Sequence, residues 1–312
     1  MARTPLSGTQ HALRAGDYEA VVASVGASLR SLRFEGRDLV VPFDADELRP
    51  AYRGVTLAPW PNRIVDGAYS FAGSEHQVPL TEPARGHALH GLSPWLEFDT
   101  VDKGSGHVTL AAVVEPQTGY PWRVVVETTY SLRADGLTQT VTARNESADA
   151  APWGTGPHPY LVAGPGALDS WTLELPAAEV LLTDDRLSPT ELRGVDVDPA
   201  RFDFRAARAI GAVALDHAFT GLVRGQDGLA VVRLSDPSGT GVQMSWDAAC
   251  PWVQVHTADG VPGAPGHRAG LAVEPMTCAP DAFNADSYDY DTGLIVLEPG
   301  ASAEASWRIA AL

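Results

Sequence analysis

Alternation of apolar and polar positions with a period of two runs through much of the chain and is clearest over residues 123–145. Val124, Val126, Thr128, Tyr130 and Leu132 fall on one face of a first strand. After Asp135-Gly136, Leu137, Gln139, Val141 and Ala143 share one face of a second, and Thr138, Thr140, Thr142 and Arg144 share the other. Successive side chains of a strand point to opposite faces, so this pattern predicts a half-buried hairpin. Asp-Gly supplies the positive φ angles that a tight β-turn needs. Similar short runs predict strands over 18–25, 29–34 and 38–43, with Gly26 and Gly36 as the breaks, and again over 108–114, 229–235, 241–246, 252–257, 294–297 and 303–310. Helical periodicity is scarce, and its best short stretch is 281–286.

The 30 glycines and 24 prolines are spread along the whole length, as suits many short elements joined by tight turns. No repeat, low-complexity tract or shift of composition marks a linker. The fold class expected is therefore all-β: one continuous antiparallel β-sandwich over residues 1–312, its edges blunted by the prolines. With 45 % hydrophobic and 20 % charged residues, the chain can bury a sizeable core.

Charge narrows the function. A formal net charge of -17 repels phosphate backbones and anionic membrane surfaces, so neither nucleic acid nor membrane is an expected partner. Cys250 and Cys278 form no CxxC pair and no zinc-type cluster, and no metal site is expected. The N-terminal residues lack the apolar core of a secretory signal and no stretch reaches membrane-span length, so the expected location is the cytoplasm, with both thiols reduced. Oligomeric state is not readable.

Candidate chemistry lies in five segments: Trp60-Pro61-Asn62-Arg63-Ile64, Leu89-His90-Gly91, His158-Pro159-Tyr160, Asp216-His217-Ala218-Phe219 and Val273-Glu274-Pro275. None fits a phosphate loop, a dinucleotide fingerprint or a nucleophile elbow. Singly, each has a plain structural reading. His158 and Asp216 suit turns, His90 suits a bonded core position, Arg63 suits a surface ion pair, and Trp60 suits either the core or the apolar face of a sugar. Glu274, after Leu271-Ala272-Val273, is a carboxylate drawn partly out of water.

Together and in this order, the segments resemble the aldose 1-epimerase, or galactose mutarotase, family. The resemblance implies a large antiparallel β-sandwich of the mutarotase type and a reaction that interconverts the α and β anomers of a free hexose without cofactor. It implies Glu274 as general base at the anomeric hydroxyl and His158 as general acid at the ring oxygen. Arg63, His90 and Asp216 would bind or orient the sugar, with Asn62, Trp60 and Tyr160 beside them. Opening a pyranose removes a proton from the C1 hydroxyl while another reaches the ring oxygen, so an acid and a base must flank C1. An imidazolium, with an ordinary pKa of about 6.5, suits the acid, and Asp216 nearby would help keep it charged.

The flanks depart from the galactose-type pattern. Ala58-Pro59-Trp60-Pro61 stands where an arginine is usual, and Pro159-Tyr160-Leu161 where Phe-Asn-Leu is usual. The stretches 57–64 and 82–91 look more like a bacterial branch that includes sulfosugar mutarotases, and Arg53 and Arg85 are placed to meet an anion at C6. Two readings from other classes are a carbohydrate-binding module without turnover and a glycoside hydrolase, which would need a second carboxyl at the scissile bond.

Overall fold

In the computed structural model, which describes residues 3–312, the central hairpin forms in the register the alternation predicts. Val124–Arg133 and Gly136–Asn145 pair antiparallel from Val124 opposite Asn145 to Arg133 opposite Gly136. Its expected apolar face is buried throughout. Gln139, a polar residue on that face, is satisfied there: its amide donates to Thr56 Oγ1 at 2.9 Å, and its carbonyl oxygen accepts from Trp307 Nε1 at 3.0 Å.

This hairpin lies within a nine-stranded antiparallel sheet, where Ser302–Ala311 joins it to Gly241–Trp246 and Ala230–Ser235. A six-stranded antiparallel sheet has the order Tyr160–Leu161, Leu271–Met276, Trp252–His256, Asp216–Leu222, Ala177–Thr183, Pro189–Gly194. A four-stranded sheet, Gln10–Ala15 to Arg37–Asp38, completes the main β-structure. One contiguous apolar core runs through all three, from Leu13 and Val22 through Tyr130 and Val141 to Phe219 and Val273. The fold is an all-β sandwich, as expected.

Two expectations need correction. Residues 38–43 are not one strand: pairing within the first sheet stops at Asp38, because the backbone then changes partner. Leu39 N–H donates to Leu32 at 2.8 Å, but Val41 N–H donates to Tyr160 at 2.8 Å, and Pro42 has no donor to continue. The segment thus ties the N-terminal sheet to the strand edge that carries Tyr160. The expected helix at 281–286 is a 3-10 segment, Ala282–Ser287, interrupted at Asn284. It is held by Asp281, whose Oδ1 accepts from Val65 N–H at 2.8 Å and whose Oδ2 accepts from Tyr288 Oη at 2.6 Å.

Strands such as Ala177–Thr183 and Asp216–Leu222 escaped the alternation because they are buried on both faces or begin on polar residues. Cys250 and Cys278 are buried free thiols, and burial pushes both up, Cys278 to about 12. Among the described residues no helix is long and apolar enough to cross a membrane.

Candidate active site

Two rungs of the six-stranded sheet, two residues apart, set out the floor of the site. Glu274 lies opposite Gln254, which lies opposite Ala218; two residues along, Tyr160, Ala272, His256 and Asp216 follow one another across four strands. Residues two apart on a strand share a face, so Glu274, Gln254, His256 and Asp216 all project to the same side. With Tyr160 they wall a cavity of about 260 Å³.

Loops supply the opposite wall. Arg63–Ile64 pairs with Ala88–Leu89, and His90 N–H donates to Asn62 O at 2.7 Å, which brings Asn62, Arg63 and His90 to one rim. Asn62 and His90 have φ of 55° and 65°, and Ala51 and Tyr52, on the neighbouring wall, have 46° and 55°. Left-handed backbone at residues with a Cβ costs about 1–3 kcal/mol each, and its concentration here shows that position of side chains outranks backbone ease. Gly91 follows at φ 79°, where an added Cβ would stand 2.1 Å from Ala58 O. Gly91→Ala should therefore destabilise the protein by about 2–4 kcal/mol, read as a lowered denaturation midpoint with an unchanged m-value.

His158 and Glu274 meet at the bottom. Nε2 of His158 is 3.5 Å from Oε1 of Glu274, and the side chains are 6 % and 2 % exposed. Glu274 Oε2 and His158 Nδ1 are buried without a hydrogen-bond partner, as is Nδ1 of His90, whose ring packs edge-on to His158 at 5.0 Å. Tyr160 and Tyr52 stack on His158 at 5.2 and 6.3 Å. Burial pulls the His158 imidazole down to about 3 and the His90 imidazole well below its ordinary range. Burial first, and then the negative Asp216, pushes the Glu274 carboxyl well above its ordinary range, against the weaker opposing pull of Arg63. The expectation of an imidazolium kept charged by Asp216 is thus corrected: Asp216 acts in that direction, but desolvation is larger. Both shifts favour the neutral forms, so a proton shared by the pair is drawn to the carboxyl rather than to the imidazole.

Around this pair the wall is charged and cross-braced. Arg63, 8 % exposed, gives Nε to Glu82 Oε2 at 2.7 Å and Nη2 to Glu82 Oε1 at 3.0 Å, while Nη2 stands 3.9 Å from Asp216 Oδ2. Asp216 Oδ1 accepts from Gln254 Nε2 at 2.6 Å and lies 3.8 Å from His256 Nδ1. Such a wall offers donors and acceptors to several hydroxyls of one polyol ring, with an acid and a base beneath.

The structure brings together His158, Glu274, Arg63, His90, Asp216, Asn62 and Tyr160. Trp60 is not with them. Its ring is 3 % exposed and packs edge-on to Phe283 at 5.8 Å, and its Nε1 donates to Ala88 O at 3.3 Å, so it serves the core. Of the two arginines considered for C6, Arg85 reaches the cavity wall, whereas Arg53 lies over the Tyr160 ring at 6.0 Å and donates to Pro42 O at 3.2 Å. Sequence reasoning missed Tyr52, Glu82, Gln254, His256 and Asp259. Gln254 and His256 had left a signal, two polar residues at alternate positions in the otherwise apolar stretch 252–256.

A model of the family described as aldose 1-epimerase matches residues 9–310. The chain is 36 % identical over 295 residues to YihR, an uncharacterized protein of Escherichia coli strain K12, covering 94 % of this chain and 90 % of that one. Among solved structures, it resembles a GalM/aldose epimerase homologue from C. elegans with a TM-score of 0.83 and 20 % identity, covering 97 % of this chain and 99 % of that one. A putative aldose 1-epimerase from Escherichia coli K12 gives a TM-score of 0.82 and 22 % identity, with coverage of 97 % and 99 %. These structural likenesses bear on the fold.

Proposed function

We infer that this chain, which belongs to the aldose 1-epimerase family and is an enzyme of that type, interconverts the α and β anomers of a free hexose in the cavity described above. The observation that carries this reading is the buried His158–Glu274 pair, 3.5 Å apart at the base of a polar cavity of about 260 Å³. The two oxygens involved in mutarotation, the ring oxygen and the C1 hydroxyl, are bonded to the same carbon. A pair this close can address both at once.

The chemistry follows from the single shared proton. With a cyclic sugar bound, the C1 hydroxyl donates to the unpartnered carboxylate oxygen of Glu274, and the ring oxygen accepts from Nε2 of His158, which stabilises the proton on the imidazole. His158 then protonates the ring oxygen as the bond from C1 to that oxygen breaks. Glu274 takes the hydroxyl proton as the C1 carbonyl forms. This leaves a neutral imidazole and a protonated carboxyl, which is the state that dry burial favours, so the open-chain stage coincides with the comfortable state of the pair. Rotation about the bond between C1 and C2 and the reverse transfers close the other anomer. Arg63, His90, Asp216, Asn62 and Tyr160 would hold the remaining hydroxyls during that rotation, and the reaction needs no cofactor.

An ordinary hexose is the leading substrate. The second reading, a sugar with an anion at C6, is favoured by Arg85 at the cavity wall, with its side chain 41 % exposed. Against it, Arg85 Nη1 is already bonded to Glu82 Oε1 at 2.8 Å, and Arg53 is not a wall residue. Purified protein should accelerate anomer exchange of freshly dissolved glucose or galactose, followed by polarimetry, more than that of a hexuronic acid. Saturable binding without exchange would instead mark a binding module, and no effect on any of the three sugars would sink the reading.

A further inference from the structure

Glu82 has no part in the transfers above, yet its side chain is only 13 % exposed and it projects from a closed turn rather than from a sheet. Arg85, Gly86 and His87 N–H all donate to its carbonyl, at 3.1, 2.9 and 3.3 Å, and its own N–H donates to His87 O at 3.0 Å. His87 is fully buried, its Nδ1 accepts from Asp66 N–H at 3.1 Å, and its Nε2 lies 3.0 Å from Arg186 O. The turn is clamped at its base, so the carboxylate it presents is fixed in place.

That carboxylate grips one edge of Arg63. A guanidinium is a planar fork of N–H donors, and Glu82 occupies the edge made by Nε and Nη2, in the bidentate geometry that holds such a group by orientation as well as charge. Arg63 lines the cavity, and Nη1, the nitrogen outside that grip, has only a long 3.4 Å approach to Asn62 Oδ1. The same Nη2 stands 3.9 Å from a second carboxylate, Asp216. One buried cation thus stands between two carboxylates, and the tighter bond to Glu82 keeps it from closing on Asp216. Arg85, also bonded to Glu82, supplies a second positive charge, so the grip does not leave the wall without a cation.

We propose that Glu82 is a positioning residue for the mutarotase reaction. It anchors Arg63 by the Nε and Nη2 edge, turns the Nη1 edge toward a sugar hydroxyl, and holds Arg63 off Asp216 so that both can engage the same sugar. The inference rests on the mutarotase reading of the cavity.

The test is a mutant cycle on a sugar that the wild type turns over: wild type, Glu82→Gln, Arg63→Lys and the double variant, each checked for native near-ultraviolet circular dichroism. Glu82→Gln should raise KM about tenfold with a smaller change in kcat, because ground-state grip on the sugar is lost while the proton-transfer pair remains. The double variant should be no worse than Arg63→Lys alone, since Glu82 acts through Arg63. Glu82→Asp, which keeps the charge on a shorter stem, should fall between Glu82→Gln and wild type, and it takes the place of Glu82→Gln in the cycle if that variant does not fold. Unchanged KM in a natively folded variant, additive losses in the double variant, or a fall in kcat alone would each overturn the proposal. If the wild type accelerates no sugar, the mutarotase reading fails instead. The same cycle read as glucose affinity by calorimetry then decides whether Glu82 positions Arg63.

Discussion

Glu274→Gln should reduce the catalysed rate of anomer exchange about a thousandfold while the protein keeps its fold and its affinity for the sugar. The amide is nearly isosteric with the carboxyl, and burial and Asp216, which raise its pKa well above the ordinary carboxylate range, favour the neutral carboxyl in the resting cavity. The substitution therefore removes little ground-state electrostatics. What it removes is the ability to take and return the proton of the C1 hydroxyl, a general-base contribution of about 10²–10⁴ in rate. Stopped-flow polarimetry of freshly dissolved α-anomer, with sugar binding measured in parallel, checks the claim. A variant with more than a tenth of wild-type kcat would show that the base lies elsewhere.

The dependence on pH should follow the proton held by the pair rather than an ordinary imidazole. Two groups this close titrate as a unit, and the active form is the one carrying a single proton. Burial lowers the His158 imidazole to about 3, so a second proton is not taken near pH 6.5, and kcat/KM at pH 5 should stay within about twofold of its value at pH 7. On the alkaline side the proton leaves as pH rises through the raised pKa of Glu274, and kcat/KM should fall about tenfold for each further unit. Removing the other partner, in His158→Gln, should cost at least about a hundredfold in kcat. A fall in wild-type kcat/KM centred near pH 6.5 would contradict the assignment. Stability has its own dependence. The unfolded chain takes a proton on this imidazole below about pH 6.5 that the folded chain refuses down to about 3, but above about pH 4.5 the folded chain keeps on Glu274 a proton that the unfolded chain gives up. The two offset one another between about pH 6.5 and 4.5, so this pair weakens folding only as pH falls further, from about 4.5 toward 3.

How far the sequence revealed this molecule depended on the range of the interactions involved. The 123–145 hairpin was legible because a period-2 pattern and an Asp-Gly turn are local properties, and its buried face followed directly. His158, Glu274, Arg63, His90 and Asp216 were legible through their family resemblance, and the structure gathers all of them at one cavity. Trp60 was not resolved by the same means. An indole between two prolines reads alike whether it faces a core or a sugar, and only its bond to Ala88, on a different strand pair, settles which. Gln254 left only a polar position in an apolar strand and Glu82 left nothing, for a related reason. Gln254 gains its place from lying opposite Glu274 across the sheet, and Glu82 from a turn closed by His87. The state of His158 was misread because its charge is governed by burial, which no spacing of residues displays.

The walls of the cavity come from stretches as far apart as Ala51 and Glu274, and its floor from strands adjacent in space but out of sequence order. The approach of His158 to Glu274 closes a long stretch of chain, and such contacts have the highest entropic cost and form slowly. Hairpins such as Val124–Arg133 with Gly136–Asn145 need no such closure. A chain with its local β-structure assembled can therefore exist before the proton-transfer pair does, and catalytic competence reports the completion of folding where a spectroscopic β-signal reports only its beginning.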